Sequence, residues 1–295
     1  MVIVCEVSME KNTLDWFRKA LAVTPDALKV EVAGAELNLL VWGEQDKPAL
    51  LFIHGGAAHA GWWRFIAPFF LPDHRCVAVD LSGHGYSEHR EYYPPGIWAD
   101  EILELIDMGG IFSSRPIIIG HSMGGLTGIR VAAEADIPGL IIVDAAVRPP
   151  ENPPHQRVRR NILGRSRLYS SKQDAVGRFR LIPPQPTINP EIVDFIADSS
   201  VRQVVDGWAW LFDPNAFQQL KPVSLFEQLE RVTCSVALLR GELSRILDSE
   251  AAVKMCGAFG GTATLVDIPQ AYHHIMIDQP LELVSVIRTV LAEWG

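Results

Sequence analysis

Short, uninterrupted apolar runs recur along the chain, and each stops at a glycine, a histidine, an aspartate, an arginine or a proline. Residues 49–53 lead into His54-Gly55-Gly56, 76–79 into Asp80, 117–119 into Gly120, 140–143 into Asp144, 236–239 into Arg240-Gly241 and 264–268 into Pro269. A strand that is apolar at every position, not at alternate ones, is covered on both faces, so these runs predict a parallel sheet. Val30-Glu31-Val32 and residues 37–42, separated by Ala33-Gly34, predict a hairpin ahead of it. Residues 61–70, 96–109, 123–135, 249–258 and 279–293 have helical character. Strand alternating with helix defines an α/β fold with a doubly wound, mostly parallel sheet.

The rhythm breaks between residues 147 and 222. Eight of the 20 prolines fall within 149–190, a density that marks loops and not sheet. Helical patches such as residues 191–197 follow. The expected organisation is a body made of residues 1–146 and 223–295, interrupted by an inserted, mainly helical cap, or lid, over residues 147–222. Charge sharpens this division. The chain of 295 residues carries a formal net charge of −9, yet residues 157–180 hold eight basic side chains against the single acid Asp174. That stretch is +7, which leaves −16 for the rest. The plain reading of the basic run is a solvated helix face. The sharper one is a cap held electrostatically to an acidic body, or one that attracts anionic substrates.

A composition of 48% hydrophobic and 21% charged residues excludes a disordered or collagen-like chain. A net-acidic protein is a poor partner for phosphate backbones, so no nucleic acid is expected. No apolar stretch is long enough to span a membrane. The N-terminus, MVIVCEVSMEKN, lacks the pattern of a secretory signal. Cysteines 5, 76, 234 and 256 form neither a disulfide framework nor a CxxC site. A reducing, cytoplasmic setting follows. Neither HxxxH nor HxH spacing occurs, and carboxylates do not cluster, so no metal is expected.

The strongest chemical signal is Gly120-His121-Ser122-Met123-Gly124, placed between a predicted strand and a predicted helix. A G-x-S-x-G in that context makes a strained turn that lifts a serine hydroxyl to a helix N-terminus, where developing negative charge is stabilised. Glycines flank the serine because a Cβ on either side would clash.

With that motif the chain resembles the α/β-hydrolase fold superfamily, over about residues 28–146 and 230–295. His54-Gly55-Gly56 looks like the loop that supplies one oxyanion N–H in the family. By position the donor is Gly56, with Ala57 as the alternative, and the second donor is Met123. Asp80-Leu81-Ser82-Gly83-His84-Gly85-Tyr86-Ser87 resembles the family's D-x-x-G-x-G-x-S loop, which is structural, so His84 has no expected catalytic role. In the family the catalytic histidine precedes a proline by seven residues. Counted back from Pro280, that residue is His273, with His274 as competitor.

The acid departs from the pattern. The family places an aspartate three or four residues past a glycine after the penultimate strand, and here those positions hold Ser244 and Arg245. Arginine cannot accept the histidine proton. Three carboxylates compete to replace it. Asp144 stands first, because some members take their acid from that strand end; the plain reading is that it only closes the strand. Glu242 lies early in the usual loop. Asp248 is late and looks like a helix N-cap.

A serine at the elbow is at odds with the aspartate nucleophile of the fold's dehalogenases and epoxide hydrolases and favours an acyl-enzyme. The resemblance therefore implies a serine hydrolase of the carboxylesterase kind, with Ser122 as nucleophile, His273 as base and Asp144 orienting it. Its substrate would be a small apolar ester, lactone or thioester, and no cofactor is needed. Carbon–carbon bond hydrolysis, acyl transfer or cofactor-independent chemistry could use the same residues. The missing acid also motivates a binding module without turnover. Trp62, Trp63 and Trp208 are candidate substrate-lining residues, with packing of cap on body as the alternative. For Trp210 packing is preferred.

Overall fold

The computed structural model describes residues 13–147, 168–218, 225–261 and 263–295. Helix α1 (Thr13–Ala22) precedes a hairpin of β1 (Asp26–Val32) and β2 (Ala35–Trp42). Its two-residue turn places Ala33 and Gly34 at φ 48° and 70°, the left-handed geometry that a tight hairpin of twisted strands requires. The body continues through β3 (Ala49–Ile53), β4 (Arg75–Val79), α2 (Ile97–Asp107), β5 (Ile117–His121), α3 (Met123–Glu134) and β6 (Gly139–Val143). After the intervening segment come α7 (Phe226–Leu229), β9 (Ser235–Gly241), α8 (Ser249–Ala258), β10 (Ala263–Ile268), α9 (Ile275–Asp278) and α10 (Pro280–Trp294). The remaining elements, α4 to α6 and β7–β8, belong to that segment.

The eight strands order as β1-β2-β4-β3-β5-β6-β9-β10. Only the pairings of β1 with β2 and of β2 with β4 are antiparallel. Alternate residues of the central strands feed two separate cores. Leu51, Ile53, Ile118, Leu140, Ile142, Val236 and Leu238 face α2, α3 and α8, whereas Leu50, Phe52, Ile119, Ile141, Val143, Ala237 and Leu239 face α1 and α10. This two-sided burial is why the runs have no polar alternation. Each valine, leucine, isoleucine or phenylalanine among them contributes about 1.5–3 kcal/mol relative to exposure.

Residues 61–70, expected as a helix, form two separate 3₁₀ turns, Ala60–Trp63 and Ala67–Phe70. His59 caps the first, with its ring accepting the Gly61 N–H, and Pro68 opens the second, so one α-helix is not continued across them. Among the described residues no helix is long and apolar enough to cross a membrane.

Between β6 and β9 the chain leaves the sheet. Its described part, residues 168–218, carries α4 (Lys172–Val176), α5 (Pro190–Ser199), a hairpin of β7 (Val201–Val204) and β8 (Gly207–Trp210), and α6 (Asn215–Gln218). The hairpin was not anticipated from the sequence. This segment is tied to the body through buried polar contacts: the Tyr93 hydroxyl donates to Asp213 at 2.9 Å, and the His59 ring meets the Ser200 hydroxyl at 3.1 Å. Arg157, Arg159, Arg160, Arg165 and Arg167 of the basic run lie outside the described residues, and Lys172 pairs with Asp198 at 2.6 Å.

Candidate active site

The turn from β5 into α3 holds Ser122 at φ 52°, ψ −112°, a conformation that L residues avoid and that costs on the order of 1–3 kcal/mol. The surrounding packing imposes it. A Cβ on Gly120 would come within 2.3 Å of the Gly124 carbonyl, and one on Gly124 within 2.3 Å of the Ile53 carbonyl. Small residues at both positions let the turn press against the end of β3. The Ser122 N–H donates to the Val143 carbonyl at 2.9 Å, tying the elbow to β6.

His273 lies in the loop after β10. Its Nε2 is 3.1 Å from the Ser122 hydroxyl and its Nδ1 is 2.7 Å from Asp144 Oδ2, and all three residues are buried. A carboxylate can only accept, so the imidazole proton resides on Nδ1 and Nε2 offers its lone pair to the serine. Asp144 follows β6 at a positive φ of 49°. Its Oδ1 accepts the Gly241 N–H at 3.0 Å, and its Oδ2 also accepts the Ser244 hydroxyl at 2.6 Å. Burial pushes its carboxyl up to about 6, against the Ser244 and Gly241 donors that hold it down. Ser244 therefore occupies the position where an acid was expected and bonds to the carboxylate that reaches His273.

The other two carboxylates do different work. Glu242 is exposed and accepts the Gln270 N–H at 2.9 Å. Asp248 caps α8, accepting the Ala251 N–H at 2.8 Å. His274, the neighbour of His273, is buried with its ring 5.7 Å from that of Trp62. Burial, and then the adjacent His273, pull it well below the usual histidine range, so it is neutral. His121 is likewise driven down to about 3 by burial, and its Nε2–H donates to the His273 carbonyl at 3.0 Å. His121, His273 and His274 thus cluster in space, their nitrogens within 4.8 Å of one another. Such a buried trio could hold a metal ion, which the lack of HxxxH and HxH spacing did not lead one to expect, although His273 already spends both nitrogens on Asp144 and Ser122.

The loop after β3 abuts the elbow. A Cβ on Gly55 would lie 3.4 Å from Ser122 Cβ, and one on Gly56 3.8 Å from Met123 Sδ. Gly56 and Met123 are thereby neighbours. Ala57 takes a positive φ of 60° in the turn closed by Ala58 N–H on the Gly55 carbonyl. Asp80 anchors this loop from below, accepting the N–H of Ala60 at 2.6 Å and of Tyr86 at 3.0 Å. His84 is packed against Trp98 and Phe217, consistent with a structural loop.

The tryptophans separate. Trp63 is fully buried against Phe52, ring centroids 5.2 Å apart, which is the packing alternative. Trp62 packs on His274, one ring away from His273. Trp208 is half-buried in the β7–β8 hairpin and its backbone pairs with Tyr169. Trp210 packs on Tyr169 and Phe179. Sequence reasoning missed Phe217 of α6, whose ring edge would lie 3.3 Å from a Cβ on Gly56 and so roofs that glycine. It also missed the partners that hold the His273 loop. No local pattern marks either.

An α/β sheet with a strained serine at a strand-to-helix turn, a histidine beside it and a carboxylate behind defines the class in which this chain falls. It matches the alpha/beta hydrolase family over residues 50–286, and it belongs to that family. It is 26% identical over 277 residues to the esterase Rv0045c of Mycobacterium tuberculosis, covering 90% of this chain and 89% of that protein. It is 24% identical over 289 residues to a serine hydrolase-like protein of Danio rerio, covering 89% and 87%. Among solved structures it resembles E-2-(acetamidomethylene)succinate hydrolase with a TM-score of 0.76 at 21% identity, covering 91% of this chain and 99% of that one.

Proposed function

We propose that the protein is a serine hydrolase that cleaves a carboxylic ester, lactone or thioester through an acyl-enzyme. The observation that carries this is the continuous line Ser122–His273–Asp144, with contacts of 3.1 and 2.7 Å. Similarity to an esterase over nine-tenths of the chain supports it. In the first half-reaction the Ser122 oxygen attacks the carbonyl carbon while its proton passes to His273 Nε2. The oxyanion is held by the N–H groups of Gly56 and Met123, the latter at the α3 N-terminus. His273 then returns the proton to the leaving alkoxide or thiolate. In the second half-reaction it takes a proton from water, whose oxygen attacks the acyl carbon, and the carboxylic acid departs as Ser122 regains its proton. Asp144 keeps the imidazole in the required tautomer and stabilises the imidazolium.

Residues 147–222 act in this reading as a cap over the site, with Phe217 above the oxyanion loop and Trp62 and Trp208 as candidate substrate-lining side chains. The reading of a binding module without turnover rested on the missing acid, and the 2.7 Å contact of Asp144 with His273 supports turnover over that reading. The test is labelling with a fluorophosphonate together with hydrolysis of p-nitrophenyl acyl esters. Labelling and turnover, both lost in Ser122→Ala, are expected. Labelling without turnover on esters, lactones or thioesters would instead favour another acceptor or a binding role.

A further inference from the structure

The base is carried by a stretch without regular structure, residues 269–274 between β10 and α9, and a histidine that must meet partners on both ring nitrogens needs its backbone held. The buried Asp278 and His121 and the partly exposed Gln185 do this on three consecutive residues. The Tyr272 N–H donates to Asp278 Oδ2 at 2.8 Å, the His273 carbonyl accepts from His121 Nε2 at 3.0 Å, and the His274 N–H donates to Gln185 Oε1 at 3.0 Å. Gln185 also donates its amide to both oxygens of Asp278, at 2.8 and 2.9 Å. Gln185 belongs to the inserted segment, and nearby Asn189 donates to the carbonyls of Ile277 at 2.7 Å and Asp278 at 3.1 Å.

The direction of every bond in this chain is forced. It begins and ends on backbone N–H groups, which only donate. Between them stand one acceptor-only carboxylate and one amide that accepts at one end and donates at the other. The polarity closes with no buried donor facing a donor and no acceptor facing an acceptor. We propose that Gln185, carried by the inserted segment, is a positioning residue for His273: with Asp278 it clamps the backbone on both sides of the base. The insertion is then part of the apparatus that aims the base as well as a cover. This rests on the assignment of His273 as base in the reading above.

The test exploits the forced polarity. Gln185→Glu places two acceptors against each other, and Asp278→Asn leaves a donor facing a donor whichever way either amide turns. The double variant Gln185→Glu/Asp278→Asn restores one bond at each junction, with the charge moved one residue along the chain of contacts and the second of the two bonds between residues 185 and 278 given up: the asparagine oxygen accepts from Tyr272, its amide donates to the glutamate, and the glutamate accepts from His274. Each single change is expected to lower kcat for a p-nitrophenyl ester, and the rate of fluorophosphonate labelling at Ser122, on the order of ten- to a hundredfold with KM little changed, because ångström-scale misplacement of a catalytic group has effects of that size. The double variant is expected to recover to within about threefold of wild type, a coupling that independent sites would not show.

Single variants with wild-type kcat would overturn the proposal. So would a double variant whose losses merely add. If Asp278→Asn does not fold, the partly exposed Gln185→Met serves: slowed labelling with a melting temperature above the assay temperature supports the clamp, and unchanged labelling overturns it. A wild-type protein that neither labels nor turns over would fail the serine-hydrolase reading itself, which is a distinct outcome.

Discussion

Replacing Asp144 with asparagine separates the chemical role of this carboxylate from its structural one. Three donors converge on it: His273 Nδ1 at 2.7 Å and the Ser244 hydroxyl at 2.6 Å on Oδ2, and the Gly241 N–H at 3.0 Å on Oδ1. Asparagine has one acceptor. With its oxygen toward Gly241, its amide donates to His273, which must then present a lone pair at Nδ1 and carry its proton on Nε2. That tautomer cannot take the Ser122 proton. With the amide reversed, two N–H groups face each other in a buried space, at about 1–3 kcal/mol. The first arrangement is favoured, and kcat is expected to fall about 10⁴-fold, the size found when the orienting aspartate of a serine triad is amidated.

Stability moves the other way. Burial raises the Asp144 carboxyl from 3.8 to about 6, so the folded protein binds this proton more readily than the unfolded chain. Between about pH 4 and 6 the contribution of this group to stability therefore declines as pH rises, and above that range the ionised carboxylate costs about 3 kcal/mol. Asparagine removes that cost. At about pH 8 Asp144→Asn is expected to melt at or above the wild-type temperature while nearly inactive, and at about pH 4 the advantage disappears. In the wild type, activity is expected to fall as pH drops through about 6, where the hydrogen-bonded Asp144–His273 pair takes up a proton. The assay is kcat on a p-nitrophenyl ester paired with thermal unfolding at both pH values. A variant that keeps kcat within tenfold of wild type refutes the tautomer argument. One equally destabilised at both pH values refutes the buried-charge argument.

Ser244→Ala removes a donor that holds the Asp144 carboxyl down; the acid limb of the kcat–pH profile is expected to move to higher pH, with a loss of about 1–3 kcal/mol in unfolding free energy as the Ile246 and Leu247 N–H groups lose their shared acceptor. Glu242→Gln keeps an acceptor for the exposed Gln270 contact and is expected to leave kcat within about twofold of wild type, whereas a loss of orders of magnitude would return the role of acid to Glu242. Gly124→Ala drives a methyl to 2.3 Å from the Ile53 carbonyl and is expected to cost about 3 kcal/mol or to prevent folding, read as melting temperature or soluble yield.

What could be read from the amino-acid order alone is what neighbours in the chain dictate. Runs such as residues 117–119 and 140–143 are apolar throughout because both sheet faces are covered, and the period of a strand is local. The elbow was legible because φ 52° at Ser122 and the close approach to β3 demand small residues on either side, and those demands fall on adjacent positions. His273 could be placed only through the family resemblance, which puts the histidine seven residues before a proline, here Pro280. The acid could only be ranked, with Asp144 ahead of Glu242 and Asp248 on the resemblance. Asp144 lies 129 residues from His273, and the expected loop offers Ser244, which only the folded chain brings to 2.6 Å from that carboxylate. Adjacent Trp62 and Trp63 have nothing in their order to tell that one packs beside the base and the other inside the core. Gln185 lies 89 residues from the His274 N–H it accepts, in a proline-rich stretch with no periodicity. Hydrogen bonds between distant segments depend on where the chain returns to itself. That return is set by the packing of both cores around the sheet and leaves no mark at the positions it brings together.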